Sequence, residues 1–272
     1  DLSGKWSFSI DRQDNGEKEK WFSHTLNDCI NLPGSMPEKL KGDEVTAKTQ
    51  WTGSLYDSSY YYNPYMEKYR KEGNIKFPFF LTPDKHYVGA AWYQKEVNIP
   101  ADWKGERILL FLERPHIETT VWVNGQKTGM QNSLCVPHQY DITRYVRPGK
   151  CTITIRVDNR IKEINVGPDS HSITDQTQGN WNGIVGRICL QTTPKTYFDD
   201  IQIYPEPEQK LARVKVVIKG TGTAKVKLSA ESFNTDKKHI VPAIQQEIKL
   251  NKGVTETEMV LPMGNDMLLW DE

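Results

Sequence analysis

Across 272 residues, 35 Lys and Arg balance 35 Asp and Glu, so the formal net charge is zero and neither a nucleic-acid footprint nor a strong pull toward anionic lipid is expected. The length suits two domains better than one sandwich, and no run of about eighteen apolar residues is present to span a bilayer. Eight Trp and twelve Tyr in a 37% hydrophobic chain fill cores and leave aromatics for a binding surface.

The chain opens on Asp1 without Met or a signal peptide, as a processed secretory precursor or a trimmed chain would; a secreted or periplasmic location is the expectation. Leu2 to Ile10 alternates its large residues with period two and reads as a strand, followed by a turn at Asp14-Asn15-Gly16. Asn31-Leu32-Pro33-Gly34-Ser35 is a second break. Trp51 to Phe80 is aromatic and irregular; within it Asn63 caps a short helix, with Pro64 at its first position and Gly73 just past its end. The neighbouring Tyr60, Tyr61, Tyr62 and Tyr65 read as satellite core beneath a long loop, with a ligand platform as the alternative.

From Ala91 the pattern is β. Trp92 to Val97 is a strand, and Arg107 to Leu112 is nearly continuous in apolar residues, as for a strand buried on both faces. Thr119 to Val123 ends at Asn124-Gly125, a strong hairpin signal. Cys151, Ile153, Ile155 and Val157 alternate with Thr152, Thr154, Arg156 and Asp158, which predicts one wet face. Pro168 to Ile188 follows as a polar loop bearing a single Trp. Its composition suits hydrogen bonds to a polyhydroxylated ligand with an indole face for stacking, but taken alone it favours a loop that caps itself through Asx and ST turns. After Thr192-Thr193-Pro194 the character changes, and about seven short strands, counting Met267 to Trp270, fit the remaining residues.

Chemistry-bearing residues are sparse. Glu113 and Glu118 flank Arg114-Pro115-His116, but their parity puts them on opposite faces of a strand, so ion pairs with Arg114 or loop closure are the expected use. His116, His138 and His171 read as structural groups rather than a metal site, and no nucleophile, zinc or phosphate-loop motif calls for a cofactor. The four Cys lack any CxxC spacing and read as free thiols in strands, with one or two disulfides as the alternative.

An ordered set of motifs resembles the front of a glycoside hydrolase family 2 enzyme: Leu2-x-Gly4-x-Trp6-x-Phe8, Asn31-Leu32-Pro33-Gly34, Trp92-Tyr93-Gln94-Lys95, Val121-Trp122-Val123-Asn124-Gly125, Tyr140-Asp141-Ile142-Thr143, Val157-Asp158-Asn159, Gly183-Ile184 and Leu268-Leu269-Trp270. The resemblance implies an all-β chain: a jelly-roll, galactose-binding-like β-sandwich over 1–194, then an immunoglobulin-like β-sandwich over 195–272. It also implies that a C-terminal catalytic barrel of the same polypeptide carries two glutamates about 5 Å apart, as in retaining glycosidases. No Asn-Glu pair of the kind expected around the acid/base occurs in this sequence, so the chain is expected to hydrolyse nothing by itself.

The implied partner is a carbohydrate substrate, with a homo-oligomer possible. Two jelly-roll loops would contact the terminal sugar. One supplies Asp175, Asn180 and Trp181; the other, Lys76 to Tyr87, supplies Asp84, Lys85 and His86. Asp175→Ala or Trp181→Ala is then expected to weaken substrate use while barely changing the fold. Asn182-Gly183-Ile184-Val185-Gly186-Arg187 departs from the family's usual Ser-Gly-Ile-aromatic-Arg, and the 46–80 insertion departs from the bacterial galactosidases, so no galactose specificity is carried across. A free-standing carbohydrate-binding module is the alternative reading.

Overall fold

In the computed structural model, alternating apolar residues become fifteen strands among the described residues, 1–53, 57–162, 167 and 169–269. Pro168, where the polar loop begins, part of the irregular aromatic piece (54–56) and Trp270 of the last motif lie outside them. Strand accounts for 52% of residues and helix for 7%, so the chain is all-β. It divides into two units, Asp1–Thr192 and Thr193–Glu272.

The first unit contains β1 (Gly4–Asp11), β2 (Asp28–Leu32), β3 (Gly34–Ser35), β4 (Asp43–Glu44), β5 (Lys85–His86), β6 (Ala90–Ile99), β7 (Arg107–His116), β8 (Glu118–Val123), β9 (Gln126–Asn132), β10 (His138–Asp141), β11 (Gly149–Asp158) and β12 (Gly183–Thr193). One sheet runs β2-β1-β6-β11-β8-β9 and the other β10-β7-β12-β3, while β4 and β5 pair apart. Between the two sheets lie Trp6 and Phe8, Ile30 and Leu32, Tyr93, Leu110 and Leu112, Val121, Ile153 and Ile155, and Ile184. Period-two apolar residues on each strand meet across the gap, as in any sandwich. The Asn124-Gly125 hairpin forms, both residues holding positive φ (50° and 76°), which closes a two-residue turn between β8 and β9.

The expected wet face of β11 is instead buried. Thr154, Arg156 and Asp158 are all covered. The cover comes from the outer surface of the six-stranded sheet, where Leu26, Trp92 and Trp122 cluster with Trp21 and Phe22. The Phe22 and Trp122 rings stack at 5.2 Å. The turn at 14–16 holds this layer down: Asp11 accepts from the backbone N–H groups of Asn15 (2.9 Å) and Gly16 (2.8 Å) and from Trp92 Nε1 (2.9 Å). A Cβ on Gly16 would sit 2.5 Å from that indole nitrogen, so no larger residue fits there.

Beneath this layer Asp158 meets Arg156 (3.0 Å), Arg160 (2.6 Å) and Lys162 (2.8 Å), and Asp14 and Glu118 complete the network. Burial alone would raise the Asp158 pKa, but hydrogen bonds from Arg160, Lys162 and the Arg160 backbone, with the Arg156 charge, outweigh it and hold the carboxyl well below the usual range.

Asn63 caps as expected, its side chain accepting from Tyr65 N–H at 3.0 Å, but the helix is a 3₁₀ turn, Pro64–Tyr69, that ends short of Gly73. Of the tyrosine cluster only Tyr60 is core, packed with Phe77 and Phe80; Tyr61, Tyr62 and Tyr65 are exposed. All four Cys are free thiols, and only Cys151 is buried.

The second unit has three strands among its described residues, β13 (Tyr197–Glu206), β14 (Leu211–Asn234) and β15 (Lys237–Pro262), rather than seven short ones. The β14–β15 ladder runs through irregularities at Gly220/Gly222 and Leu228/Ala230 without breaking. Val214, Val216 and Ile218 are buried, which one face of a flat three-stranded sheet cannot achieve. The hairpin folds over at the glycine bulge, and Ile218 and Met259 share a core with Val226, Ile248 and Leu250.

Candidate functional site

The two loops singled out in the sequence meet. Their junction is Asp175, only 1% exposed, whose Oδ2 accepts from Thr52 N–H (2.6 Å) and Oδ1 from Asn180 N–H (2.8 Å). The Asp175 backbone N–H donates to Thr52 O (3.1 Å), and its carbonyl accepts from Leu81 N–H (2.8 Å). One acidic residue thereby ties the polar loop to both the 51–52 segment and the 76–87 loop. Both carboxylate oxygens are occupied by backbone donors, so the expectation that Asp175→Ala barely changes the fold does not stand; removing them strands two N–H groups.

His86, from the other loop, is buried with Nε2 3.8 Å from Asp175 Oδ2, beyond hydrogen-bond reach, and its ring lies 4.8 Å from that of Trp51. Asn180 donates to Thr52 Oγ1 (3.1 Å) and to Asn159 O (3.0 Å). Trp181 is half-buried and stacks on His116 at 4.6 Å and 20° between planes. Burial lowers the His116 pKa to about 4 and the Asn180 side chain pulls the other way, though neither His116 Nε2 nor Asn180 Oδ1 meets a partner in full hydrogen-bond geometry. Trp51 Nε1 and His86 Nε2 are likewise buried without a partner. Buried polar atoms are nearly always satisfied, so Trp51 Nε1 and His86 Nε2 stand out in this cluster, whereas His116 and Asn180 act on each other. Asp84 is exposed and Lys85 is held in an ion pair with Glu44, so these two sit at the rim.

Residues not singled out hold the site in place. Asn182 donates to Gly89 O (2.9 Å) and Val157 O (3.0 Å) and accepts from Tyr93 Oη (2.8 Å). Asn159 bonds Gly89 N–H (2.8 Å) and Tyr87 O (2.9 Å). The motif Val157-Asp158-Asn159 and the departure at Asn182 were the only signals for them. Trp51 and Thr52 carried none beyond their place in the aromatic insertion.

Other candidates resolve as structure. Glu113 pairs with Arg187 (3.0 Å) rather than Arg114, and Glu118 with Arg156 and Lys162. His138 is satisfied by Thr119 Oγ1 (2.6 Å) and Ser133 O (3.2 Å).

Beside His86 opens a cleft of about 480 Å³ lined by Arg12, Asp43, Glu44, Thr46, Thr49, Gln50, His86, Tyr87 and Val88. Among the described residues no group of three His, Cys, Asp or Glu is arranged to hold a metal ion, and no helix is long and apolar enough to cross a membrane.

Residues 1–194 match the family model described as the sugar binding domain of glycosyl hydrolases family 2. The chain belongs to glycoside hydrolase family 2. Family 2 relatives include the β-glucuronidases of Pongo abelii and Homo sapiens, each 24% identical over 266 residues that cover 88% of this chain and 35% of the relative. That of Paenibacillus borealis is 25% identical over 218 residues, 75% of this chain and 30% of its own. The chain thus spans about a third of these relatives' length. A Ruminococcus gnavus β-glucuronidase in complex with D-glucuronic acid superposes with a TM-score of 0.60 at 17% identity, covering 97% of this chain and 39% of that one. An uncultured Clostridium β-glucuronidase gives 0.57 at 19%, with the same coverage. Both likenesses show the shared fold.

Proposed function

We propose that this chain forms one wall of the sugar subsite in a retaining, exo-acting β-glycosidase acting on terminal β-linked sugars, with a β-glucuronidase-like substrate. In this reading the two catalytic glutamates belong to a barrel of the same polypeptide. The observation that carries it is the convergence of the two loops: His86 and Asp175 lie 3.8 Å apart inside a cluster with unpartnered polar atoms at Trp51, Asn180 and His116. Trp181, backed by His116, offers its remaining indole face to a sugar ring. Asp175 acts on position, fixing the loop through its backbone bonds. A secreted or periplasmic location fits glycan breakdown.

Two measurements test this. Residues 1–272 alone, incubated with a panel of aryl β-glycosides, should release no aglycone; turnover at enzyme-like rates overturns the reading. In the polypeptide that includes the barrel, Trp181→Ala should raise KM for an aryl β-glucuronide about tenfold, equivalent to about 1.4 kcal/mol. Unchanged kinetics would remove the loop from the subsite.

A further inference from the structure

The two layers of the second unit are unequal. β14 and β15 form one continuous ladder that bends at Gly220/Gly222, so β14 keeps the same free side, the side away from β15, through both layers. Along 211–219 that side is taken by β13. Along 222–234 β14 pairs with β15 alone among the described residues, and its other edge presents backbone N–H and C=O groups that no neighbouring strand uses.

The side chains register the same asymmetry. Cross-strand partners share a face of a sheet, so Phe198, Ile201 and Ile203 on β13 continue the apolar row of Ile218, Val216 and Val214 on β14. On β14 the row is 2%, 2% and 5% exposed, but on β13 it is 50%, 49% and 65% exposed. The core shared with Val226, Ile248 and Leu250 reaches Ile218 of β14 and Met259 of β15 and takes in no residue of β13. Single exposed apolar residues are ordinary, but three in one row on the core-bearing face are not. The second layer stops one strand short of covering the first.

The chain itself returns to this edge. After β15, Met263 N–H donates to Lys210 O (2.8 Å). The backbone then crosses to the far end of β14, where Leu268 N–H donates to Ser232 Oγ (2.9 Å) and Leu269 O accepts from Asn234 Nδ2 (2.7 Å). A segment that leaves Leu269 along β14 runs from 234 toward 222, antiparallel to it, as both strand pairings in this unit are.

We propose that the polypeptide directly after Glu272 adds an antiparallel strand to β14 along 222–234, with apolar residues at every second position that cover Phe198, Ile201 and Ile203. An extended segment of that pattern satisfies the open backbone edge and the open apolar row at once, since alternate side chains of a strand point to one face. Residues 195–272 are then one part of a sandwich that the following segment completes. With the proposed function this inference shares only the premise that the polypeptide continues past Glu272.

Amide hydrogen exchange at single-residue resolution tests it, comparing residues 1–272 with the polypeptide that includes the barrel. In 1–272 the amides of 222–234 that point away from β15 should exchange freely. In the longer polypeptide they should slow by about a hundredfold, together with amides of the segment that directly follows Glu272. Ile203→Asp should abolish that slowing in the longer polypeptide and leave exchange in 1–272 unchanged, because its side chain is already 65% exposed there. Equal exchange of 222–234 in the two polypeptides overturns the proposal, as does indifference of the longer one to Ile203→Asp. Slowing of 222–234 without slowing in the segment after Glu272 also overturns it, by putting the barrel on that edge. Slowing within 1–272 that grows with protein concentration does so too, by giving the edge to a second copy. Exchange reads no activity, so its failure leaves the Trp181→Ala kinetics to decide the subsite separately.

Discussion

Around Asp158 and around Asp175 the first unit buries a carboxylate to similar depth, 0% and 1% exposed, but the surroundings differ in kind. Asp158 sits among Arg156, Arg160 and Lys162, with Asp14 and Glu118 answering the remaining positive charge, so charged groups satisfy one another. Asp175 is held by backbone N–H groups and lies among His86, Trp51, His116 and Asn180, each with a buried polar atom lacking a partner. A saturated cluster is complete within the fold. An unsaturated one, at the junction of two loops, keeps buried donors such as Trp51 Nε1 without a partner.

Asp158→Ala probes the saturated cluster and should have the largest effect. It leaves three buried or half-buried cations facing two acids, and a loss of about 3–4 kcal/mol in urea unfolding is expected. Asp175→Ala should cost somewhat less, about 2–3 kcal/mol, through two stranded backbone donors. Its signature should be local: faster amide exchange at Thr52 and Asn180, with the β6–β11 ladder unaffected. Equal loss of protection in both places would show that the two clusters form one cooperative unit.

The third effect is in pH. His116 titrates near 4 when folded against an ordinary 6.5, so between those values the unfolded chain binds more protons and stability falls as pH falls. Between pH 7 and pH 5 this single group should remove about 2 kcal/mol, read as the difference between wild type and His116→Gln in thermal melts at each pH. Parallel pH curves for the two proteins would remove His116 as the cause. Asp158, held low, adds a loss that begins as pH falls into the usual carboxylate range, where the unfolded chain takes up its proton first, and continues below it.

The smallest effect is on reactivity. Cys29 and Cys135 are exposed, whereas burial pushes the Cys151 thiol up to about 11. A thiol reagent at neutral pH should label the first two rapidly and Cys151 only on unfolding.

Local chemistry in the sequence was legible where the partners are near in the chain. Asn124-Gly125 makes its hairpin, Asn63 caps two residues on, and the alternation of β6, β8 and β11 puts the right residues into the sandwich core. What could not be read depended on distant segments. The second face of β11 looked wet because its cover, Trp21, Phe22 and Leu26, arrives from the other end of the unit. Asp175 looked available because Thr52, its backbone partner, is 123 residues away. In the second unit, the expected short strands are instead long ladders that run through irregularities at Gly220/Gly222 and Leu228/Ala230. The family resemblance located the two loops, but only the fold revealed which side chains brace the site and which retain unpartnered atoms.

That 123-residue separation also bears on the order of events in folding. Closing so large a loop is entropically costly until the intervening strands have assembled, so the Asp175–Thr52 clasp forms after the β6–β11 and β8–β11 pairings, whose residues are closer in sequence. The region that would receive a sugar then closes late, together with other long-range contacts such as the β3–β12 pairing. A ligand bound across it would slow its reopening, which makes the lifetime of the clasp a kinetic gauge of occupancy.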